Sequence, residues 1–310
     1  MKLIRLNSFL YLFCILSVFA SCVQKPDSSV EDWNRTFINT KKLISEACLD
    51  RELILGRPFL IQYVDSSLLI YDDIGDSLFL LVDLKENDRV YRFGQKGEGN
   101  NEFLQVFAFC NMKSDSILGV YDAYKHELRE INLDKVKRGE MNFPVVFKDT
   151  LSSIKLSPTK YDAYLGLGFY ESNMLSLTDN SIGSKFFFEY PYKDSREKAI
   201  SNRLRGMAYQ GTLCSNRSLD KFLYAVCSAP IFMLFSVNKD GIEKTYELIG
   251  GYPNYVTEET GEYRSAPMSA DNKMSFTMAY ATDNYIYLLY SGKNFRDAGM
   301  DAFKANVIYQ

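Results

Sequence analysis

Residues able to do chemistry are sparse in this sequence. A single histidine, His126, lies in Tyr124-Lys125-His126-Glu127, a polar turn between two apolar stretches. One histidine supplies neither a histidine-rich metal site nor a histidine pair for acid/base work. Cys48, Cys110, Cys214 and Cys227 lack the Cys-x-x-Cys spacing of a zinc or redox site and read as buried free thiols. An oxidising compartment would nevertheless permit any of three pairings among them. Asp72-Asp73 and Glu258-Glu259 lack the alternating ligands of a calcium loop and read as solvated turn residues. No Gly-x-Ser-x-Gly elbow occurs. No metal, cofactor or catalytic set is therefore expected. Arg203 and Arg205, near Gly206, are the candidate ligand-binding residues, because guanidinium groups facing a channel would hold an anion.

The clearest chemistry belongs to Cys22. Lys2 and Arg5 precede an apolar run from Phe9 to Ala20 interrupted only by Ser17, too short to cross a bilayer and suited to a signal peptide. Phe19-Ala20-Ser21-Cys22 then places two small residues before a cysteine, which resembles a bacterial lipobox. That resemblance implies a thioether from Cys22 to diacylglycerol and cleavage that makes Cys22 the N-terminus. Each buried methylene contributes about 0.8 kcal/mol, so two or three acyl chains would anchor the protein stably. Residues 1–21 are expected to be signal peptide, 22–32 a polar tether containing Pro26, Ser28 and Ser29, and 33–310 the folded domain.

The elements that must position any site are strands. Aromatics form 15% of the chain, with 22 Tyr and 22 Phe but only Trp33, a balance that favours pleated, half-buried surfaces. Asp65-Ser66-Ser67-Leu68-Leu69-Ile70-Tyr71-Asp72 is echoed by Asp115-Ser116-Ile117-Leu118-Gly119-Val120-Tyr121-Asp122. Weaker copies open at Glu171, Asp220 and Asp283, giving steps of 50, 56, 49 and 63 residues. In each, a polar turn opens an apolar strand and a second strand returns. Asn238-Lys239-Asp240-Gly241 between two such strands is a strong hairpin signal. Helical spacing is best at Trp33, Phe37, Ile38 and Ile44, where a short helix is expected. A period near 50 residues built from antiparallel strands points to an all-β fold, a β-propeller, whose blades bury their faces against one another. The alternative is a β-sandwich or two small β domains.

With the repeats placed, Arg92-Phe93-Gly94-Gln95-Lys96-Gly97-Glu98-Gly99-Asn100-Asn101-Glu102-Phe103 becomes informative. It resembles the Phe-Gly-x-x-Gly-x-Gly-Pro-Gly-Glu-Phe loop of the TolB-like six-bladed β-propeller lipoproteins of Bacteroidota. Asn100 and Asn101 replace Pro-Gly there, and asparagine tolerates the left-handed conformation such a turn uses. The segment lacks the Gly-Lys-Ser/Thr ending of a phosphate-binding loop. Gly94, Gly97, Gly99, Glu102 and Phe103 are accordingly expected to form a structural turn between blades. Family members usually continue for another blade or so beyond the strand matching Val307-Ile308-Tyr309. Either segment 33–60 closes the ring, or the propeller is incomplete at its C-terminal end, which is the reading favoured.

The resemblance implies a lipid-anchored protein of the cell envelope, at the outer membrane, with the membrane as one partner. The leading expectation is a binding or scaffold module for a protein, peptide or glycan. The alternative is a lyase or hydrolase with its active site in the central channel. A formal net charge of -3 with scattered Lys and Arg argues against a nucleic-acid surface.

Overall fold

A computed structural model describes residues 37, 39, 41–44, 53–74, 76–85, 89–179, 183–261 and 263–310. Cys22, Cys48, the signal segment and the tether lie outside the described residues. The described chain forms a five-bladed arc of antiparallel sheets, each a simple up-and-down meander. Blade 1 comprises β1 (Pro58–Val64), β2 (Ser67–Asp72), β3 (Phe79–Asp83) and β4 (Arg89–Phe93). The short strands β5 (Gln95–Lys96) and β6 (Glu102–Phe103) pair in parallel within the following connection. Blade 2 is β7 (Val106–Asn111), β8 (Ile117–Asp122), β9 (Glu127–Asn132) and β10 (Val145–Lys148), with the short helix α1 (Leu133–Lys137) between β9 and β10. Blade 3 is β11 (Lys155–Pro158), β12 (Ala163–Leu167), β13 (Leu175–Asp179) and β14 (Gly183–Phe187). Blade 4 is β15 (Gly211–Ser215), β16 (Lys221–Val226), β17 (Ile231–Val237) and β18 (Ile242–Ile249). A hairpin of β19 (Glu258–Thr260) and β20 (Tyr263–Ser265) precedes blade 5, formed by β21 (Phe276–Ala281), β22 (Ile286–Tyr290) and β23 (Val307–Tyr309).

The strands sit where apolar residues cluster between turn residues, and their faces are used twice. Leu69 and Tyr71 of β2 join Phe79, Phe103, Val106 and Val120 in the core between blades 1 and 2. Tyr121, Phe147 and Leu156 fill the next interface. Leu165, Tyr224 and Met233 fill the third, and Phe232, Phe276 and Leu288 the fourth. Burying both faces of a sheet in this way is what makes a thin repeated unit stable. Turn chemistry follows the sequence: Asn238 Oδ1 accepts the N–H groups of Asp240 and Gly241 at 2.8 and 2.9 Å, closing the expected hairpin between β17 and β18.

One sequence expectation needs correction. The third repeat opens one strand before Glu171, because Leu175, Ser176 and Leu177 belong to β13, the third strand of its blade. The true counterpart of β2 and β8 is β12, opened by Asp162, whose φ of 57° matches the left-handed turn at Asp65 (φ 43°). Of the short helix expected at Trp33, Phe37, Ile38 and Ile44, Trp33 and Ile38 lie outside the described residues, and residues 37, 39 and 41–44 are irregular.

The N-terminal segment instead touches both ends of the arc. The Phe37 ring lies 4.4 Å from that of Tyr309 in blade 5, and Leu53 and Leu55 pack on Ile70, Leu80 and Val82, the face of blade 1 turned away from blade 2. On that same blade 1 face Ile61 and Tyr63 remain more than half exposed.

Candidate functional site

In each meander the innermost strand begins on one side of the arc, here called the top. The connections between blades and the turns between second and third strands lie there too. The opposite, bottom side is laced from blade to blade. Lys113 pairs with Asp162, Lys160 with Asp220 at 3.5 Å, and Asn216 Nδ2 donates to Asp283 at 2.8 Å. On the axis the Gln62 amide donates to Asn111 Oδ1 at 3.1 Å, and the Asn111 amide donates to the Ser215 carbonyl at 3.0 Å. Inner strands of blades 1, 2 and 4 are thereby bridged near the bottom. A bottom groove of about 410 Å³ between blades 3 and 4 is lined by Lys160, Lys185 and Lys239, but Asp220 and the Asp240 carbonyl already occupy the first two.

The glycine-rich connection joins blades 1 and 2 on the top. Gly94 has φ 74°, and a Cβ there would come within 2.5 Å of Phe79. The Glu102 carboxylate accepts the Gly99 N–H at 2.8 Å and fills the space beside Gly97. Phe103 is wholly buried. Lys125 Nζ donates to the carbonyls of Gly99 and Glu102 at 2.9 and 3.0 Å, and Arg129 to those of Asn100 and Phe143. His126, at φ 54°, sits in the turn between β8 and β9.

The connection between blades 3 and 4, residues 188–210, holds the groups of greatest chemical interest. Asp194 caps the short helix α2 (Ser195–Lys198), accepting the N–H groups of Arg196 and Glu197 at 2.9 and 3.0 Å. Ser201 caps α3 (Asn202–Ala208). Buried Asn202 ties α3 to blade 3, donating to the Tyr170 and Asn173 carbonyls and accepting the Tyr190 N–H. At Gly206 a Cβ would lie 2.5 Å from the Tyr190 ring, so α3 lies flat against its neighbours. Burial holds the Tyr190 hydroxyl far above its ordinary pKa.

The two candidate arginines separate on this helix. Arg203 is exposed, whereas Arg205 is 2% exposed. Arg205 Nη2 donates to Glu189 Oε2 at 2.9 Å, and its guanidinium lies 5.2 Å from the Tyr192 ring centroid. The Lys198 ammonium lies 5.1 Å from the same ring. Next to this cluster, Glu197 Oε1 accepts both the Tyr209 hydroxyl at 2.9 Å and the Tyr255 hydroxyl at 2.7 Å. Desolvation first, then the Glu197 charge, raises the Tyr209 pKa far above its usual range; for Tyr255 the order is desolvation and then the hydrogen bond to Glu197.

Sequence reasoning missed Glu189, Tyr192, Glu197, Lys198 and Tyr255. The spacing Asp194-x-x-Glu197 is a capping-box signal that could have located α2. Cys110, Cys214 and Cys227 are free. Among the described residues no group of three or more His, Cys, Asp or Glu side chains gathers to hold a metal, and no helix is long and apolar enough to cross a membrane.

A family model described as TolB-like 6-blade propeller-like matches residues 36–307. A protein described as exported from Bacteroides fragilis NCTC 9343 is 11% identical, with a TM-score of 0.48, over 83% of this chain and 86% of that one. A member of the DUF4221 family from Bacteroides vulgatus ATCC 8482 is 12% identical, with a TM-score of 0.38, over 65% and 62%. The WD40 domain of Toxoplasma gondii coronin is 10% identical, with a TM-score of 0.40, over 66% and 49%. No curated protein matches the sequence.

Proposed function

The chain belongs to the TolB-like 6-blade propeller-like family, and on that premise we propose that it is a lipid-anchored binding module of the cell envelope, at the outer membrane, which recognises a protein, peptide or glycan on its top face. Anchoring rests on Cys22 and the signal-like segment before it. The observation that carries the binding reading is the meeting of Tyr209 and Tyr255 on Glu197. It joins two successive inter-blade connections into one top surface, while the bottom of the axis is bridged by Gln62 and Asn111. Loops held by a rigid sheet scaffold are where recognition concentrates. A lyase or hydrolase in the channel would call for ionisable groups converging on the axis, whereas the bridging groups there are amides.

Affinity capture from native membranes tests this reading. Alanine at Tyr192 and Arg203 on the top should release a reproducibly captured partner, and alanine at Lys113 and Lys239 on the bottom should not. Equal retention by both variants, or no reproducible partner, would count against it. Metabolic labelling with an alkynyl fatty acid should mark the wild type and leave Cys22→Ser unmarked; absence of label from both would remove the anchor.

A further inference from the structure

Arg205 is more buried than its partners justify. Three of its five N–H donors, one on Nε and two on Nη1, have no acceptor among the described residues. A buried guanidinium left short of acceptors is costly, because the water it gives up is not replaced. Its one carboxylate partner among the described residues, Glu189, has a side chain 49% exposed, so the ion pair lies at the surface on the Glu189 side and inside the protein on the Arg205 side. Lys198 has no carboxylate partner among the described residues and shares the Tyr192 ring with Arg205. The whole connection is cationic: Lys193, Arg196, Lys198, Arg203 and Arg205 face Glu189, Asp194 and Glu197, a surplus of two positive charges in a chain of net charge -3.

We infer that the space around Arg205, Lys198 and Tyr192 is a binding site for a ligand carboxylate, which takes the place of the Glu189 carboxylate. When Glu189 swings toward solvent, Arg205 presents donors able to hold an incoming carboxylate in a bidentate pair. Lys198 adds a second positive charge, and the Tyr192 ring, 37% exposed, can stack on a C–H face of the molecule that carries the carboxylate. The anchorage of α3 by Asn202 and the close packing at Gly206 keep Arg205 in position. Glu189 acts as a built-in competitor and sets the threshold affinity. This site deepens the binding reading above and depends on it.

The probe is sodium glucuronate, with acetate, inorganic phosphate and chloride at matched ionic strength, read through the Arg Nε–H NMR resonances of the full folded domain. The Arg205 resonance, assigned by its loss in Arg205→Lys, should shift saturably with glucuronate and more weakly with acetate. Glu189→Gln, a change at a half-exposed position, should tighten binding at least fivefold, since a neutral amide competes poorly for a guanidinium. Lys239→Gln on the bottom face should leave the titration unchanged. A Glu189→Gln protein that binds no more tightly, or shifts that chloride and phosphate reproduce equally (an adventitious ion only), would overturn the site. If membrane capture still depends on the top face while glucuronate fails to bind, the carboxylate site falls and the binding module stands.

Discussion

The Tyr121 hydroxyl lies 2.8 Å from Asp149 Oδ2, joining the second strand of blade 2 to the threshold of blade 3. Its proton is shared with the Ser153 carbonyl at 2.9 Å, and the Ser153 N–H returns to the same Asp149 oxygen at 2.6 Å. Tyr71, its counterpart one repeat earlier, reaches the threshold of blade 2 by accepting the Val106 N–H at 3.5 Å. The aspartates that follow do the complementary task. Asp72 accepts the N–H groups of Gly56 and Arg57, and Asp122 those of Leu104 and Gln105, each fastening the start of its own blade. The Tyr-Asp pair is thus a joint that grips two blades.

Tyr121→Phe removes the donor and leaves a buried carboxylate short of one hydrogen bond. The expected loss is about 1–3 kcal/mol in urea denaturation. Tyr71→Phe should cost less than Tyr121→Phe, because its bond is long. Equal costs would show that ring packing rather than the hydroxyl makes the joint.

Gly94→Ala combines a left-handed backbone with a Cβ driven into Phe79. Left-handed strain and overpacking together should cost about 2–4 kcal/mol. A thermal midpoint close to wild type would mean that the connection between blades 1 and 2 can shift.

One face of blade 1 provides an internal contrast. Ile70→Ala opens a cavity under Leu53 and Leu55 and should cost about 2–5 kcal/mol. Ile61→Ser, on the same face but 52% exposed, should stay within about 0.5 kcal/mol and improve solubility. A large penalty at Ile61 would show that this surface is covered in solution.

Burial holds the Lys155 ammonium down to about 8, against 10.5 in the unfolded chain. Its donor contact is to the Phe107 carbonyl, with the Phe107 ring 5.9 Å away. Below pH 8 both states carry the proton and the burial cost is felt in full. Between 8 and 10.5 the unfolded chain binds more protons than the native one, so unfolding free energy rises with pH. Urea midpoints taken between pH 7 and about pH 10 should therefore increase, before ionising tyrosines in the unfolded chain reverse the trend. Lys155→Met should flatten the rise and be about 1 kcal/mol more stable at neutral pH. A slope unchanged by that substitution would assign the effect elsewhere.

Desolvation raises the Cys214 thiol to about 12 and the Cys227 thiol to about 11, and Cys110 higher still. Thiolate is the reactive form. Peptide mapping after iodoacetamide should find all three unmodified in the native protein at pH 8 and modified in urea. Fast native labelling of Cys214 would show that blade 4 opens readily.

The strand repeat was legible because its signals are local. Alternating apolar residues, the turn acids at Asp65 and Asp115, and Asn238–Gly241 each lie within one strand and its turn. The same locality misled at blade 3, where Glu171 looks like an opening acid and only strand pairing reveals Asp162 as the counterpart. The glycine-rich segment announced a tight connection, but nothing in it named Lys125 or Arg129 as the residues that hold it.

The amino-acid order alone determined that the chain is built of repeated antiparallel strands, because periodicity and turn preference act over a few residues. Tertiary structure alone decided that Arg203 meets water while Arg205, two positions on, is buried beside Glu189 and Tyr192. It also decided that Tyr255 reaches Glu197 across 58 residues of chain. Such meetings depend on how blades pack around a common axis, a long-range condition that no short window of sequence encodes.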